Sequence, residues 1–362
     1  MMSLIALTRP LATVLADRRA FVLANGLGYA ALIALHAQVP WFTQENAWVL
    51  HGHMATDMMF GDGTSPVVLA LQNLTYLYLC GLYGLMLLHW RTLSLGVREL
   101  FAYGTLLGLL AWCALPADSP DIFTYVEFGR LAAVYHLNPY LSDYSDLADF
   151  YSPYAWFTGS MPYGPVVLPV FAVAAWISQL NVLAALYFLK LVWLAVHLAS
   201  AWLLCRLLVR EGIDPRPGLL LFVFNPLLLI DLVGNGHNDG LLVCFNLAAL
   251  NAFQRGRMVW AIGLALAAAL VKLPAVVLLA GLLVLLLRQR RWGALFAGSA
   301  VCLVVLVTLH WTLFPTGEAV RNLINPNVGF WNSIRGLLPA PELFVSKGTK
   351  VAVLLVFVGT FA

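Results

Sequence analysis

Long apolar runs separated by short polar breaks organise this chain. Read as helices, they fall at 20–38, 66–89, 100–117, 182–205, 217–233, 240–254, 257–271, 274–287 and 293–314. Most are apolar all round, where a soluble helix would carry one apolar stripe, so the surroundings they suit are lipid. A helical crossing takes about 20 apolar residues. The pair 257–271 and 274–287 is short by that measure and predicts a shallow hairpin turning at Lys272-Leu273-Pro274. The run 164–178 is also apolar, but counting it as a crossing would put Arg206 and Arg210 on the wrong side. It is expected to dip into the membrane and return, which is tolerated only where protein covers the ends or a cavity is lined. The last run, from Lys350 to Ala362, is too short to cross, and predicts either a fragment or a helix that only enters the bilayer. The expectation is an all-α polytopic membrane protein. It has one transmembrane domain over 1–362, about ten membrane segments, and external loops 39–65, 118–162, 234–240 and 315–348.

Charge gives the orientation. Arg9, Arg18, Arg19, Arg91, Arg98, Arg206, Arg210, Arg216, Arg255, Arg257, Arg288, Arg290 and Arg291 occupy one set of breaks. The opposite set holds only Arg130, Lys272, Arg321, Arg335, Lys347 and Lys350, and Lys190 lies inside a span. Basic residues concentrate on the cytoplasmic side, so the N-terminus is expected inside. Arg18 and Arg19 precede a run, Ala20 to Val39, long enough to remain as an anchor rather than a cleaved signal.

Composition closes other routes. With 62% hydrophobic and 10% charged residues among 362, the chain cannot wrap its apolar residues in a polar surface. A net charge of +3 is too small to point to nucleic acid. The five cysteines sit in or beside apolar runs without metal-ligand spacing and are expected as small buried hydrophobes. No phosphate-binding loop or dinucleotide fingerprint occurs, and no soluble segment is long enough for a nucleotide-sugar-binding domain.

The candidate chemistry lies on the outer side. Loop 118–162 holds Asp118, Asp121, Glu127, Asp143, Asp146 and Asp149 against Arg130 alone, interleaved with aromatics that include Tyr125 and Tyr140 and followed at once by Tyr163. Stacked rings beside carboxylates suit a sugar, which offers apolar C–H faces and many hydroxyls. The stretch 120–135 reads as a helix with Ser119 as N-cap and Asp121 in its first turn, which puts Asp121 and Tyr125 on one face. A carboxylate there has the chemistry of a general base. The turn Gly234-Asn235-Gly236-His237-Asn238-Asp239-Gly240 follows Asp231 and supplies donors, acceptors and a titratable ring in adjacent residues. Lys272, Arg321, Arg335 and the intramembrane Lys190 are candidates for an anionic head group, since charges at membrane depth are costly. For Lys190 the alternatives are Asp231 or a lipid phosphate. His51 and His53 in loop 39–65 cannot share a helix face, and no ligand motif is completed around them.

Motif order now adds a family. Ser119-Pro120-Asp121-Ile122-Phe123-Thr124-Tyr125, Gly129-Arg130, Asn138-Pro139-Tyr140 and Pro162-Tyr163-Gly164-Pro165 are followed by Glu211-Gly212-Ile213-Asp214-Pro215. Asn225-Pro226, Gly236-His237-Asn238-Asp239 and Lys272-Leu273-Pro274-Ala275 come next. Over about residues 100–290 this order resembles the bacterial polyprenol-phosphate-mannose-dependent α-(1→6)-mannosyltransferases of the glycosyltransferase-C superfamily. At lower detail it is similar to the mannosyltransferases of GPI-anchor synthesis. The resemblance implies a glycosyltransferase-C-like bundle with an external catalytic loop and short half-spanning helices. It implies an inner-membrane enzyme of cell-envelope glycan synthesis that moves a hexose, mannose by analogy, from a polyprenyl-phosphate sugar to a glycan or glycolipid hydroxyl on the outer face, with inversion.

Carried over by position, Asp121 is the base, with Asp118 beside it. Lys272, Arg321, Arg335 and Lys190 are the candidates for the donor phosphate. Tyr125, Glu127, Arg130, Tyr163, Asn235, His237, Asn238 and Asp239 are the candidates for the substrates. A strict Asp-x-Asp is absent. Asp118-x-x-Asp121 stands instead, and no cofactor is required by it; a divalent cation, Mg²⁺ or Mn²⁺, at these two acids is the one candidate. The competing class is a polytopic transporter or lipid flippase for a glycolipid or sugar-related substrate. Against it stand the lack of an internal repeat and the pooling of polar residues on one face.

Overall fold

A computed structural model describes residues 17–38, 65–93, 95–119, 121–143 and 159–324. All of them belong to the larger of two compact units, Met1–Asn325; the other is Pro326–Ala362. His51, His53, Asp57, Asp62, Asp146, Asp149, Arg335, Lys347 and Lys350 lie outside the described residues, as does the C-terminal run.

The described residues are helical, without strands. In order they form α1 (Arg18–His36), α2 (Pro66–Leu88), α3 (Val97–Cys113), α4 (Asp121–Ala133), α5 (Leu168–Ser178) and α6 (Val182–Arg210). After these come α7 (Pro215–Val223), α8 (Pro226–Leu228), α9 (Asp239–Gln254), α10 (Met258–Ala269), α11 (Val276–Arg288), α12 (Trp292–Thr312) and α13 (Gly317–Ile324). This is an all-α polytopic membrane protein, as the apolar pattern predicted. Among the described residues α2, α6 and α12 are long and apolar enough to cross a membrane by themselves, and the pair formed by α7 and the segment Pro226–Gly234 is a fourth if counted as one span. The expected span 217–233 is bent by 45°. Pro226 brings no N–H and disfavours helical backbone at Asn225, and the Asn225 Oδ1 caps the new start by accepting from Leu227 N at 3.0 Å.

Burial separates the spans. Only 6% of the α12 window and 11% of the α2 window are buried, against 39% for α6. The first two turn apolar side chains to lipid, and α6 is the central post. One core joins α1, α2, α3, α6 and α7 through residues such as Phe21, Leu79, Leu100, Leu194 and Phe224. A second joins α9, α10, α11 and α12 around Ala249, Ile262 and Leu282.

Two short elements position the site. The hairpin of α10 and α11 turns through a 3₁₀ stretch at Leu273–Ala275, with legs as short as the sequence suggested. The half-helix is present as a 3₁₀ turn Pro165–Val167 leading into α5. Its start is tied to the hairpin: Gly164 N donates to Val271 O at 2.9 Å and Val166 N to Leu270 O at 3.2 Å. A Cβ at Gly164 would collide with the Leu270 carbonyl, so glycine is what lets the two backbones meet. The cysteines differ from expectation: all five are free, but Cys80 and Cys113 are exposed and none is fully buried. A thiol is apolar enough to face lipid.

Candidate active site

The helix predicted at 120–135 is α4. Ser119 Oγ accepts from Asp121 N at 3.2 Å, as an N-cap residue does. The helix is not a solvated loop element, however. Ile122 through Gly129 and Leu131 are buried, so it is enclosed nearly all round, and only its first residue and its far end open outward. Tyr125 stacks on Phe171 of α5 (4.8 Å, 6°) and meets Tyr163 edge-on (5.2 Å, 86°). Together these rings form an aromatic floor beneath Asp121. Burial, then Tyr163, Asp121 and Asp239, hold the Tyr125 phenol well above its usual range. Glu127 is wholly buried further along the helix. Arg130 lies about 13 Å from Asp121 at helical rise, its Nη1 3.5 Å from Ser178 Oγ at the end of α5. The structure therefore does not bring Glu127 or Arg130 to the mouth where Asp121 sits.

Opposite Asp121 stands the glycine-bounded turn. His237 Nε2 is 3.4 Å from Asp121 Oδ2. Its Nδ1 lies 3.0 Å from Asp231 Oδ1 and 3.1 Å from Asp231 O. The ring is thus suspended between two carboxylates. Burial lowers its pKa, but the hydrogen bonds it donates to Asp121 and Asp231 and the charges of those carboxylates outweigh that and hold the imidazole well above its ordinary 6.5. Asp231 reaches this place because Leu229–Gly234 is wound as a π-helical turn, with Asn235 N bonded to Ile230 O at 2.7 Å. Single π turns concentrate at functional sites. Gly236, at φ +80°, closes the turn against Ile122 and the Lys190 stem. Asp231 was expected only as a partner for Lys190; its role beside His237 was missed, and the available signal was its spacing of six residues from the histidine.

Asp118 and Asn235 are occupied otherwise. Asp118 accepts from Gln72 Nε2 (2.7 Å), Tyr76 Oη (2.6 Å) and Asn235 Nδ2 (3.1 Å). Asn235 Oδ1 accepts from Ala117 N and Asp118 N at 3.2 and 3.3 Å. This network fastens the α3–α4 link to α2 and to the turn, and it occupies three of the roughly four acceptor positions of the Asp118 carboxylate. Among the described residues no group of three or more His, Cys, Asp and Glu side chains converges as cation ligands. The two carboxylates are turned to different partners, Asp118 to Gln72, Tyr76 and Asn235 and Asp121 to His237.

The cationic candidates separate. Lys272 Nζ donates to Asp239 Oδ1 at 2.7 Å, with both side chains over a third exposed, and stands 5.8 Å from the Tyr163 ring centre. Two candidates from different constellations are thus one pair at the α9 N-terminus. Lys190 is 1% exposed and its ammonium donates to the carbonyls of Trp112, at 2.7 Å, and Ala114. It caps the C-terminal end of α3, where a cation is favoured; these carbonyls, and not Asp231, are its partners among the described residues. Arg321 is exposed on α13, and no hydrogen bond or ion pair among the described residues joins it to the cluster. Its neighbour Asn322 donates to Tyr140 O at 2.9 Å. Asn238 is wholly buried, and neither amide atom has a hydrogen-bond partner among the described residues.

Asp121, His237, Asp231, Asp239, Lys272, Tyr125 and Tyr163 therefore make one cluster at one end of the bundle, combining an imidazole held between carboxylates, a Lys–Asp ion pair and an aromatic floor. Comparison with known proteins bears on its use. The profile of the family described as "Alpha-(1->6)-mannopyranosyltransferase, N-terminal domain" matches residues 22–288. The chain is 32% identical over 250 residues to Alpha-(1->6)-mannopyranosyltransferase A of Mycobacterium tuberculosis, covering 64% of this chain and 48% of that protein. It is 29% identical over 157 residues to Alpha-(1->6)-mannopyranosyltransferase B of Corynebacterium glutamicum, covering 40% of this chain and 26% of that protein. The chain thus spans half or less of the length of these relatives. No solved structure matches it.

Proposed function

From the premise that this chain belongs to the alpha-(1->6)-mannopyranosyltransferase family, we propose that it is the catalytic part of a polytopic membrane mannosyltransferase. Its donor is a polyprenyl-phosphate sugar and its acceptor a glycan or glycolipid hydroxyl. The two meet on the extracytoplasmic face of the inner membrane, with the N-terminus cytoplasmic. The split of basic residues between the two sides supports that orientation.

The observation that carries the reading is the meeting of Asp121 with His237 beside the Lys272–Asp239 pair. The acceptor oxygen attacks the anomeric carbon as the bond from that carbon to the phosphate oxygen breaks, and the polyprenyl phosphate leaves with the electron pair. Asp121 takes the hydroxyl proton. His237, held protonated between two carboxylates, orients Asp121 and brings positive charge near the anionic leaving group. Lys272 has three N–H donors, one used by Asp239, and offers the others to the phosphate. Preorganised charge where charge develops is commonly the largest contribution to catalysis. The sugar's C–H face rests against the Tyr163 side of the aromatic floor, and the lipid tail stays in the bilayer beside the shallow hairpin.

The test is a transfer assay with the full protein in detergent, polyprenyl-phosphate mannose and a mannoside acceptor. Inverting transfer of mannose is expected. A folded protein that moves the glycolipid between leaflets of a proteoliposome without transferring sugar overturns the reading in favour of a flippase.

A further inference from the structure

A second constellation lies at the other end of α9, about 22 Å from Asp239 at helical rise. A cavity of about 210 Å³ opens between α6, α9 and α10, lined among others by Trp202, Asn251, Arg255, Arg257, Trp260 and Leu264. It has no part in the sugar chemistry at the opposite end.

Its charge is strongly positive, four arginines against the one neighbouring carboxylate of Glu211. Arg206 and Arg210 stand near Arg255 and Arg257, and none of the four forms an ion pair among the described residues. Local desolvation, then the fields of Arg206, Arg210 and Arg257, depress the Arg255 pKa, although the residue is exposed. The neighbouring acid, Glu211, is engaged by Gln254 Nε2. Its hydrogen bonding is also incomplete. Asn251 is 4% exposed and its Nδ2 donates to Leu203 O (3.0 Å) and Leu247 O (2.9 Å). Those two bonds fix the amide's orientation and leave Oδ1 buried without a partner among the described residues. A buried acceptor without a donor is costly, so a ligand that completes it must bring a hydroxyl or N–H. The rim is apolar and aromatic: Trp202 and Trp260 are 50% and 69% exposed, and the Arg206 guanidinium stacks over Trp202 at 4.6 Å. The topological bias of basic residues accounts for arginines at this level. It does not call for a cavity or an orphaned acceptor between them.

We propose that this cavity holds the head group of an anionic phospholipid bearing a free hydroxyl. The phosphate sits on Arg255 and Arg257, the hydroxyl donates to Asn251 Oδ1, and the acyl chains run along Trp260 and Leu264. Guanidinium forks match phosphate oxygens. The cavity is large enough for a head group and opens beside lipid-facing tryptophans. A phosphocholine head group would bring its own cation among four arginines and no hydroxyl.

The test is native mass spectrometry of the full chain, offered phosphatidylglycerol, phosphatidic acid or phosphatidylcholine in mixed micelles. One retained phosphatidylglycerol is expected, in preference to the other two. Arg255→Ala with Arg257→Ala should weaken it by tenfold or more, on the order of one or two lost charge-assisted contacts. Arg290→Ala with Arg291→Ala, at a different basic break, should not. Asn251→Leu should level phosphatidylglycerol with phosphatidic acid while leaving both above phosphatidylcholine. Equal retention of phosphatidylcholine, or equal loss in the two double-arginine variants, would reduce the cluster to a topological signal and overturn the proposal. Displacement of the lipid by millimolar inorganic phosphate would assign the cavity to a soluble anion and overturn it as well.

Discussion

Asn235 and Asp118, which lie 117 positions apart in the chain, hold each other: Asn235 Nδ2 donates to Asp118 Oδ2 at 3.1 Å while its own Oδ1 accepts from the Asp118 backbone N–H. The contact locks the glycine-rich turn to the link that leads into α4. It also divides two acids that look alike in sequence, since Asp118 is committed to holding the fold and Asp121 faces His237.

Substituting the two acids should therefore give opposite results. Asp121→Asn keeps size and shape, and should lower turnover at saturating donor by about 10²–10⁴-fold, the usual cost of losing a general base, with a loss of thermal stability no larger than its weakened contact with His237 brings. Asp118→Asn sets an amide N–H₂ against the donors of Gln72, Tyr76 and Asn235. Its cost should appear in stability, about 1 kcal/mol or a little more given partial exposure, with most turnover retained in the folded fraction. Thermal unfolding and turnover on the same preparations decide it; an inactive, fully stable Asp118→Asn would make Asp118 the base.

Lys272 and Asp239 call for a double variant. Each is over a third exposed, so the pair itself is worth no more than about 1 kcal/mol. Lys272→Met should weaken donor binding by about ten- to a hundredfold if its free donors meet the phosphate. Asp239→Asn should leave that affinity largely intact. The double variant should bind no better than Lys272→Met, whereas restored affinity would mean that the lysine only neutralises its neighbour.

Lys190 should behave as a structural residue. Lys190→Met leaves the Trp112 and Ala114 carbonyls without their buried donor, at a cost of about 1–3 kcal/mol in stability. Donor affinity measured on the folded protein should not change. A loss of affinity without a loss of stability would return Lys190 to the phosphate site.

His237 predicts a pH dependence of stability. Its folded pKa is raised well above 6.5, so the unfolded chain releases its proton first. The stabilisation is full below about 6.5 and is lost as pH rises through the folded value. Wild type should lose thermal stability over that alkaline window, and His237→Gln should show a flatter profile there. Parallel profiles for the two proteins would remove the charge from His237.

The amino-acid sequence by itself determined the membrane class, the helix order, the short hairpin and the half-helix at Pro165–Ser178. Those follow from the length and polarity of runs, which act locally. It also singled out Asp121, His237, Asp239 and Lys272, because polar residues at the ends of apolar runs are few. Only the tertiary structure decided which of them meet. The π turn that carries Asp231 to His237, the pairing of Lys272 with Asp239, and the burial of α4 depend on how α3, α6, α9 and the hairpin pack around one another. Lys190 shows the reason most plainly. In the sequence it is a charge in an apolar run and calls for any anion, but in the fold the end of α3 supplies two carbonyls 76 and 78 positions away. Periodicity reports a residue's neighbours along the helix; the partner that satisfies a buried charge is set by packing between helices.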